Sequence, residues 1–400
     1  MIPAGRNVRA DDTGAHPIRI AALVPFFETI SGPGRQLTAL AQALQGVGAG
    51  CLVVVFHRRG RPPPAFARYL QDAAVEHCVI EDRGPVDWQM AARVGTVLRD
   101  WQPSLVQTHG YKATAVAYLL RKMGCPWPWI GCFHGFTTEN LKGRFYHWID
   151  RRLLGAAERI VVMSHAQARA FRHAGRRVRM IYNAALPPAP PPAGDPAERD
   201  RLAALAGSLP RPLVGVVGRL SPEKGVDLFL DACAILVRNG RPFSGLVAGE
   251  GPERPRLEAQ CRRLGLEACV RFLGHVDDVA GLYRNLDLLV LPSRSEGLPN
   301  ALLEALQADV PIVATAVGSV PDVVGTSSAV SLVAPGTAAA IAHAMERAVA
   351  PPRVRDSPDA AAARRDIVSR FSLERRRDAH LQLYRELLEE VNGIEPPCAG

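Results

Sequence analysis

Two glutamates eight positions apart, Glu296 and Glu304, bracket a turn in the stretch Ser295-Glu296-Gly297-Leu298-Pro299-Asn300-Ala301-Leu302-Leu303-Glu304. Pro299 suits a first helical turn, where its missing N–H costs nothing, and the run from Ala301 to Leu306 is strongly helix-forming. The spacing predicts Glu296 in a loop and Glu304 on a helix, with the amides of Gly297 to Asn300 facing the same space. Such amides can hold an anion while the carboxylates grip hydroxyls. A phosphate beside a polyol, as in a nucleotide sugar, satisfies both.

Other polar residues stand where apolar runs end. Gly218-Arg219-Leu220-Ser221-Pro222-Glu223-Lys224-Gly225 separates an apolar run from a helix-forming one. Arg219 by its fork and Lys224 as a point charge could together hold a diphosphate, although either alone reads equally as a surface ion-pair partner. In Gly249-Glu250-Gly251-Pro252 the glycines either let backbone approach a ligand or simply make a tight turn. Ser31-Gly32-Pro33-Gly34-Arg35 opens a helix, and Gly32 and Gly34 could set amides against phosphate. It is not a complete dinucleotide fingerprint, because Leu37 follows where a third small residue is required, which disfavours a nicotinamide dehydrogenase. His109-Gly110 and His134-Gly135 each end an apolar strand. His109 reads as readily structural as functional. His134, followed by Thr137, Thr138 and Glu139, is better placed to face a ligand.

The elements that must position these residues alternate. In the first half, β-rich runs at 18–24, 51–56, 105–108, 129–133, 160–163 and 179–182 alternate with helical stretches at 35–45, 88–101, 113–123, 144–154 and 166–173. In the second half, strands at 213–217, 245–247, 270–272, 288–291, 311–315 and 329–333 alternate with helices at 226–238, 254–264, 279–284, 301–307 and 338–349. Continuous apolar strands separated by helices predict an α/β protein of two doubly wound, Rossmann-like domains with parallel sheets. Ligands then belong beyond the carboxyl ends of the strands. The expected domains are 18–186 and 198–370, joined by a Pro-rich connector at 187–197, after a polar extension at 1–17. An amphipathic helix within 371–400 is expected to cross back to the first domain.

Composition fits two cores. Four hundred residues at 48% hydrophobic content exceed what one core ordinarily supports. The eight cysteines form no Cys-x-x-Cys and sit mostly in apolar runs, which argues for reduced thiols and against zinc or a disulfide framework. The first 17 residues lack the apolar core of a signal peptide, so a cytoplasmic, soluble or peripheral protein is expected. The net charge of +9 is uneven: residues 1–190 carry 24 basic and 12 acidic side chains, a balance of +12, and the remainder 24 and 27, a balance of −3. From Lys142 to Arg179 basic residues mix with Phe145, Tyr146 and Trp148, a pattern that suits anionic headgroups or an acidic acceptor, or else a solvated scaffold helix. Nothing points to nucleic acid.

From 18 to 390 the chain resembles the retaining glycosyltransferases of family 4, which have the two-domain GT-B architecture. The resemblance rests on Gly218-Arg219 to Lys224-Gly225, Gly249-Glu250-Gly251-Pro252, Phe272-Leu273-Gly274-His275-Val276, and the glutamate pair with its following Pro311-Ile312-Val313-Ala314-Thr315. It implies an N-terminal acceptor domain and a C-terminal nucleotide-sugar domain facing across a cleft, and transfer of a hexose from a UDP- or GDP-linked donor to a glycan or lipid-linked glycan, in cell-surface polysaccharide synthesis. It further implies that Arg219 and Lys224 hold the diphosphate and Glu304 the ribose, while Glu296 with the backbone of Gly297, Leu298 and Pro299 holds the transferred sugar and its phosphate. His275 and Val276 would line the base pocket. His134 would contact the donor sugar, and Gly32 and Gly34 would lie under the diphosphate. No Asp-x-Asp motif is present, so no metal and no cofactor are expected beyond the nucleotide sugar as co-substrate. Asn183-Ala184 stands where relatives commonly have Asn-Gly. An epimerase of similar architecture and an idle glycan-binding subunit are the alternatives.

Overall fold

The computed structural model describes residues 17–25, 32–61, 65–84, 87–134, 141–187, 196–350 and 357–393. Ser31, Gly135, Thr137, Thr138, Glu139, Cys398, nearly all of the N-terminal extension, most of the Pro-rich connector and the side chains of Lys142 and Arg144 lie outside the described residues. The described chain forms two compact units: residues up to Asn183 together with those from Leu373, and residues from Ala184 to Ser372.

The first unit is built on β1 (Arg19–Val24), β2 (Gly50–Arg58), β3 (His77–Asp82), β4 (Leu105–His109), β5 (Trp129–Cys132), β6 (Arg159–Val162) and β7 (Val178–Met180). These pair in the order β3-β2-β1-β4-β5-β6-β7, all parallel. The connecting helices are α1 (Gly32–Gln45), α2 (Ala65–Asp72), α3 (Gln89–Trp101), α4 (Tyr111–Lys122), α5 (Leu141–Leu154) and α6 (His165–Ala170). Parallel strands buried on both faces need continuous apolar sequence. Leu52 to Phe56 of β2 supplies it, and each of these side chains is buried. One sheet face packs Leu23, Val54 and Val106 against Val94, Leu98 and Leu120 of α3 and α4.

The second unit repeats the plan. Its strands are β8 (Leu213–Val217), β9 (Ser244–Ala248), β10 (Val270–Gly274), β11 (Leu288–Leu291), β12 (Ile312–Thr315) and β13 (Val330–Val333), paired in parallel in the order β10-β9-β8-β11-β12-β13. Its helices are α7 (Pro196–Ser208), α8 (Val226–Arg238), α9 (Arg254–Arg263), α10 (Val279–Asn285), α11 (Asn300–Gln307), α12 (Val320–Val324), α13 (Ala338–Val349) and α14 (Pro358–Arg370). Phe229, Leu230 and Cys233 of α8 and Ile341 and Met345 of α13 close over Val214, Val247 and Val290.

The C-terminal α15 (Leu373–Val391) belongs to the first unit, where Leu381, Leu383, Tyr384 and Leu387 pack on Ile20, Leu40, Leu105 and Ile130. Side chains of this size contribute roughly 1.5–3 kcal/mol each when fully buried. Arg159 and Arg179 reach Glu390 and Glu386 from the sheet. The seven described cysteines are all free thiols, and burial pushes Cys51, Cys78 and Cys132 up to about 12, which leaves them unreactive.

Candidate active site

In each sheet the strand order turns back on itself beside its central strand: β1 meets β4 in the first unit, and β8 meets β11 in the second. The loops leaving such a pair diverge to opposite faces and leave a crevice at the strand ends. In the second unit these are the loops that carry Lys224 and Glu296.

The Lys224 Nζ lies 2.8 Å and 3.0 Å from the two carboxylate oxygens of Glu296. Ser293 donates its hydroxyl to Glu296 Oε1 at 2.7 Å, so the carboxylate is held from two sides. The ammonium keeps a third N–H, and its side chain is 29% exposed against 8% for Glu296, so a ligand arriving from solvent meets the cation first. The two loops are stitched together behind this pair. Arg294 N–H donates to Glu223 O at 2.8 Å, and the Arg294 fork takes both Asp227 oxygens at 2.7 Å. Burial alone would raise the Asp227 carboxyl; the Arg294 bonds outweigh it and hold it below the usual range. Gly225, at φ 64°, backs directly onto Pro292, whose carbonyl would lie 2.1 Å from any Cβ there.

The neighbouring loops join the same rim. Gly218 N–H donates to Ala248 O, Leu220 N–H to Glu250 O and Gly249 N–H to Gly274 O, at 2.7–3.0 Å. Gly249 (φ 139°) lies so close to Gly218 that a Cβ would come within 1.9 Å of its carbonyl oxygen, which explains the glycine at this turn. On the other side, Ser319 donates both its amide and its hydroxyl to Gly297 O, at 3.0 Å and 2.6 Å.

Glu304 sits on α11 as its spacing demands, 9% exposed, and accepts from Tyr283 Oη at 3.2 Å. Pro299 is not in the first helical turn: it precedes the helix with extended backbone (φ −69°, ψ 123°), and α11 begins at Asn300. Pro299 therefore sets the entry angle, because extended backbone at the N-cap directs the incoming chain away from the helix axis. Among the described residues the Gly297 and Leu298 amides have no protein acceptor. Arg219 is exposed in the β8–α8 loop. His275 is exposed and pairs with Asp277 at 3.1 Å, while Val276 beside it is buried. Ser293, Tyr283 and Ser319 escaped the sequence reading. Ser293 and Ser319 follow strands and carry a weak signal, whereas Tyr283 looks like an apolar helix position and carries none.

In the first unit, Gly32 and Gly34 open α1, and Thr38 Oγ1 returns to Gly34 O at 3.0 Å. Arg376 of α15, buried, donates to both the carbonyl and the side chain of Gln36, at 2.9 Å and 2.5 Å. Burial lowers its guanidinium to about 10, which leaves it a cation at neutral pH. His109 at the end of β4 and His134 after β5 are joined, Nδ1 to Nε2, at 2.7 Å. Burial pushes both below the ordinary imidazole value, His134 to about 4, so both rings are neutral near pH 7.

Two Rossmann-like units with these switch points define a GT-B fold, and known structures share it. The Anabaena protein HepE, in complex with UDP and glucose, matches with a TM-score of 0.76 at 20% identity over 92% of this chain and 100% of that one. Residues 30–185 match the family described as Glycosyltransferase Family 4, and residues 211–350 that described as Glycosyl transferases group 1. The chain belongs to the glycosyltransferases of family 4. Similar sequences include a 2-deoxystreptamine glucosyltransferase of Streptomyces kanamyceticus, 37% identical over 39% of this chain and 42% of that protein. A lipopolysaccharide core biosynthesis mannosyltransferase of Rhizobium leguminosarum is 34% identical over 46% of this chain and 54% of its own length. The chain thus spans about half the length of the curated relatives it matches.

Proposed function

We propose that the chain moves a hexose from a UDP- or GDP-linked sugar to a glycan or lipid-linked glycan, with retention of anomeric configuration and without a metal. The observation that carries this reading is the Lys224–Glu296 pair at the β8/β11 switch point, one helical turn and a loop away from buried Glu304. Departure of a nucleoside diphosphate from an anomeric carbon puts negative charge on the leaving oxygen. Lys224, Arg219 and the Gly297 and Leu298 amides stabilise that charge from fixed positions, with little reorganisation. Glu304 accepts from the ribose hydroxyls, and Glu296 accepts from hydroxyls of the transferred sugar while Lys224 and Ser293 hold it still. Val276 and His275 border the base. For the first unit, the resemblance assigns His134 to the sugar and the α1 start at Gly32 and Gly34 to the diphosphate. With the donor phosphate itself available to take the acceptor's proton, no protein nucleophile is assigned.

Relatives acting on 2-deoxystreptamine and on lipopolysaccharide core bracket the acceptor as a polyol or glycan, and the second supports a role in cell-surface polysaccharide synthesis. The test is a panel of UDP- and GDP-sugars scored by thermal shift, then by nucleoside diphosphate release with and without glycan acceptors, with the product anomer read by NMR. Acceptor-dependent release from one donor supports the reading. Conversion of a donor without acceptor identifies an epimerase, and donor binding with no turnover identifies a binding subunit.

A further inference from the structure

A line of four side chains crosses the first unit from its C-terminal helix to the end of β5. Tyr384 of α15 donates its hydroxyl to Gln107 Oε1 on β4 at 2.7 Å. Gln107 Nε2 lies 2.9 Å from His109 Nε2, and His109 Nδ1 lies 2.7 Å from His134 Nε2. The imidazole centroids are 5.0 Å apart, nearly twice the nitrogen separation, and the planes are inclined by 22°. The rings therefore meet edge to edge, with N–H and lone pair in nearly the same plane.

A chain of neutral groups can be hydrogen-bonded in either direction, and Tyr384 decides which. Tyr384 is 1% exposed, and among the described residues the one acceptor of its hydroxyl is Gln107 Oε1. Reversing the amide would leave a buried O–H without an acceptor, at a cost of about 1–3 kcal/mol. With Oε1 toward Tyr384, the amide presents N–H to His109 Nε2, which must accept. The His109 proton is then on Nδ1, and it goes to His134 Nε2. His134 in turn carries its own proton on Nδ1.

We propose that Tyr384 and Gln107 are positioning residues that, acting through His109, hold His134 as the Nδ1–H tautomer, so that it offers a ligand a hydrogen-bond donor rather than an acceptor. His109, open at the sequence level between structure and function, is the link between the two. The consequence for chemistry rests on the reading of His134 as a sugar contact: the ring then donates to a hydroxyl or phosphate oxygen of the nucleotide sugar, and a helix at the far end of the sequence sets that polarity.

The tautomers are read directly from long-range 1H–15N correlations of the full-length protein labelled with 15N-histidine, at pH 7 and without ligand. The expected spectrum shows His109 and His134 both protonated at Nδ1 and bare at Nε2. Tyr384→Phe and Gln107→Met remove the directing group, and each is expected to give His134 a measurable Nε2–H population. Turnover is expected to fall in kcat, on the order of tenfold or more, with KM little changed. Protonation of His134 at Nε2 in the wild type overturns the proposal, as does a His134 tautomer unaltered in both variants. Because the spectra need no donor, a correct tautomer in a protein that binds no nucleotide sugar would refute the functional reading alone, and turnover with the opposite tautomer would refute the relay alone.

Discussion

At the residue scale, the two glutamates carry different loads. Glu304 is buried on a helix and accepts from the Tyr283 phenol, and the proposed role for its carboxylate is to grip the ribose hydroxyls. Glu304→Ala is expected to weaken nucleotide-sugar binding by about 1.5–3 kcal/mol, the range for hydrogen bonds to a charged group, measured by calorimetric titration. Lys224→Ala removes the cation proposed to stabilise the leaving group and is expected to lower kcat by about 10²–10³ with circular dichroism unchanged. Equal turnover in that variant would move the phosphate site elsewhere. Glu296, Arg219 and Lys224 were legible in the sequence because charge at a strand end has no reason to be there in a core, and Glu304 because its spacing from Glu296 puts it on the helix that follows. Ser293 and Tyr283, which orient the carboxylates, were not: a small hydroxyl after a strand and a tyrosine on an apolar helix face are common in any fold.

At the element scale, the rim of the second unit depends on loops packed backbone to backbone. Gly249→Ala would place a methyl 1.9 Å from Gly218 O at a φ of 139°, which L side chains rarely adopt. The expected cost is about 2–4 kcal/mol from strain and displacement of the Gly218 loop, seen as a lower Tm and a loss of donor affinity beyond that of the Tm change. The central strands β8 and β11 were legible because each is an unbroken apolar run; β8 and α8 and α13 have the bounds that hydrophobicity alone gives them. The edge strand β3 was missed, because only two of its six residues are buried and His77, Glu81 and Asp82 dilute the pattern. Short α2 and α12 fall below the length at which a helical period declares itself, and α14, at 13 residues, hides its period because its buried positions are Ala360, Arg364 and Ile367.

At the scale of the molecule, buried histidines tie the stability of the first unit to pH. His380 is lowered to about 3 and His134 to about 4 by burial, with Arg376 adding repulsion, and His109 is lowered as well. The unfolded chain takes these protons first, near pH 6.5, so stability is complete above that value and declines as pH falls toward 4. Asp150, raised by burial to about 6, works oppositely, since its folded form takes the proton first. Three groups against one predict a net fall in Tm between pH 7 and pH 4.5, steeper in Asp150→Asn; a flat profile would show that these rings are solvated.

No described helix is long and apolar enough to cross a membrane. α5 nevertheless exposes Phe145 and Trp148, stacked at 6.2 Å, with Arg152 over the indole at 5.1 Å. Salt-sensitive pelleting with anionic vesicles, reduced in Trp148→Ala, is expected if this face meets headgroups; absence of pelleting at low salt sinks the idea. The central claim concerns the donor. Calorimetric titration of the full chain with UDP- and GDP-sugars tests it most directly: saturable one-to-one binding of one of them, lost or strongly weakened in Glu304→Ala, is the predicted result, and either no binding by the wild type or undiminished binding by the variant contradicts it.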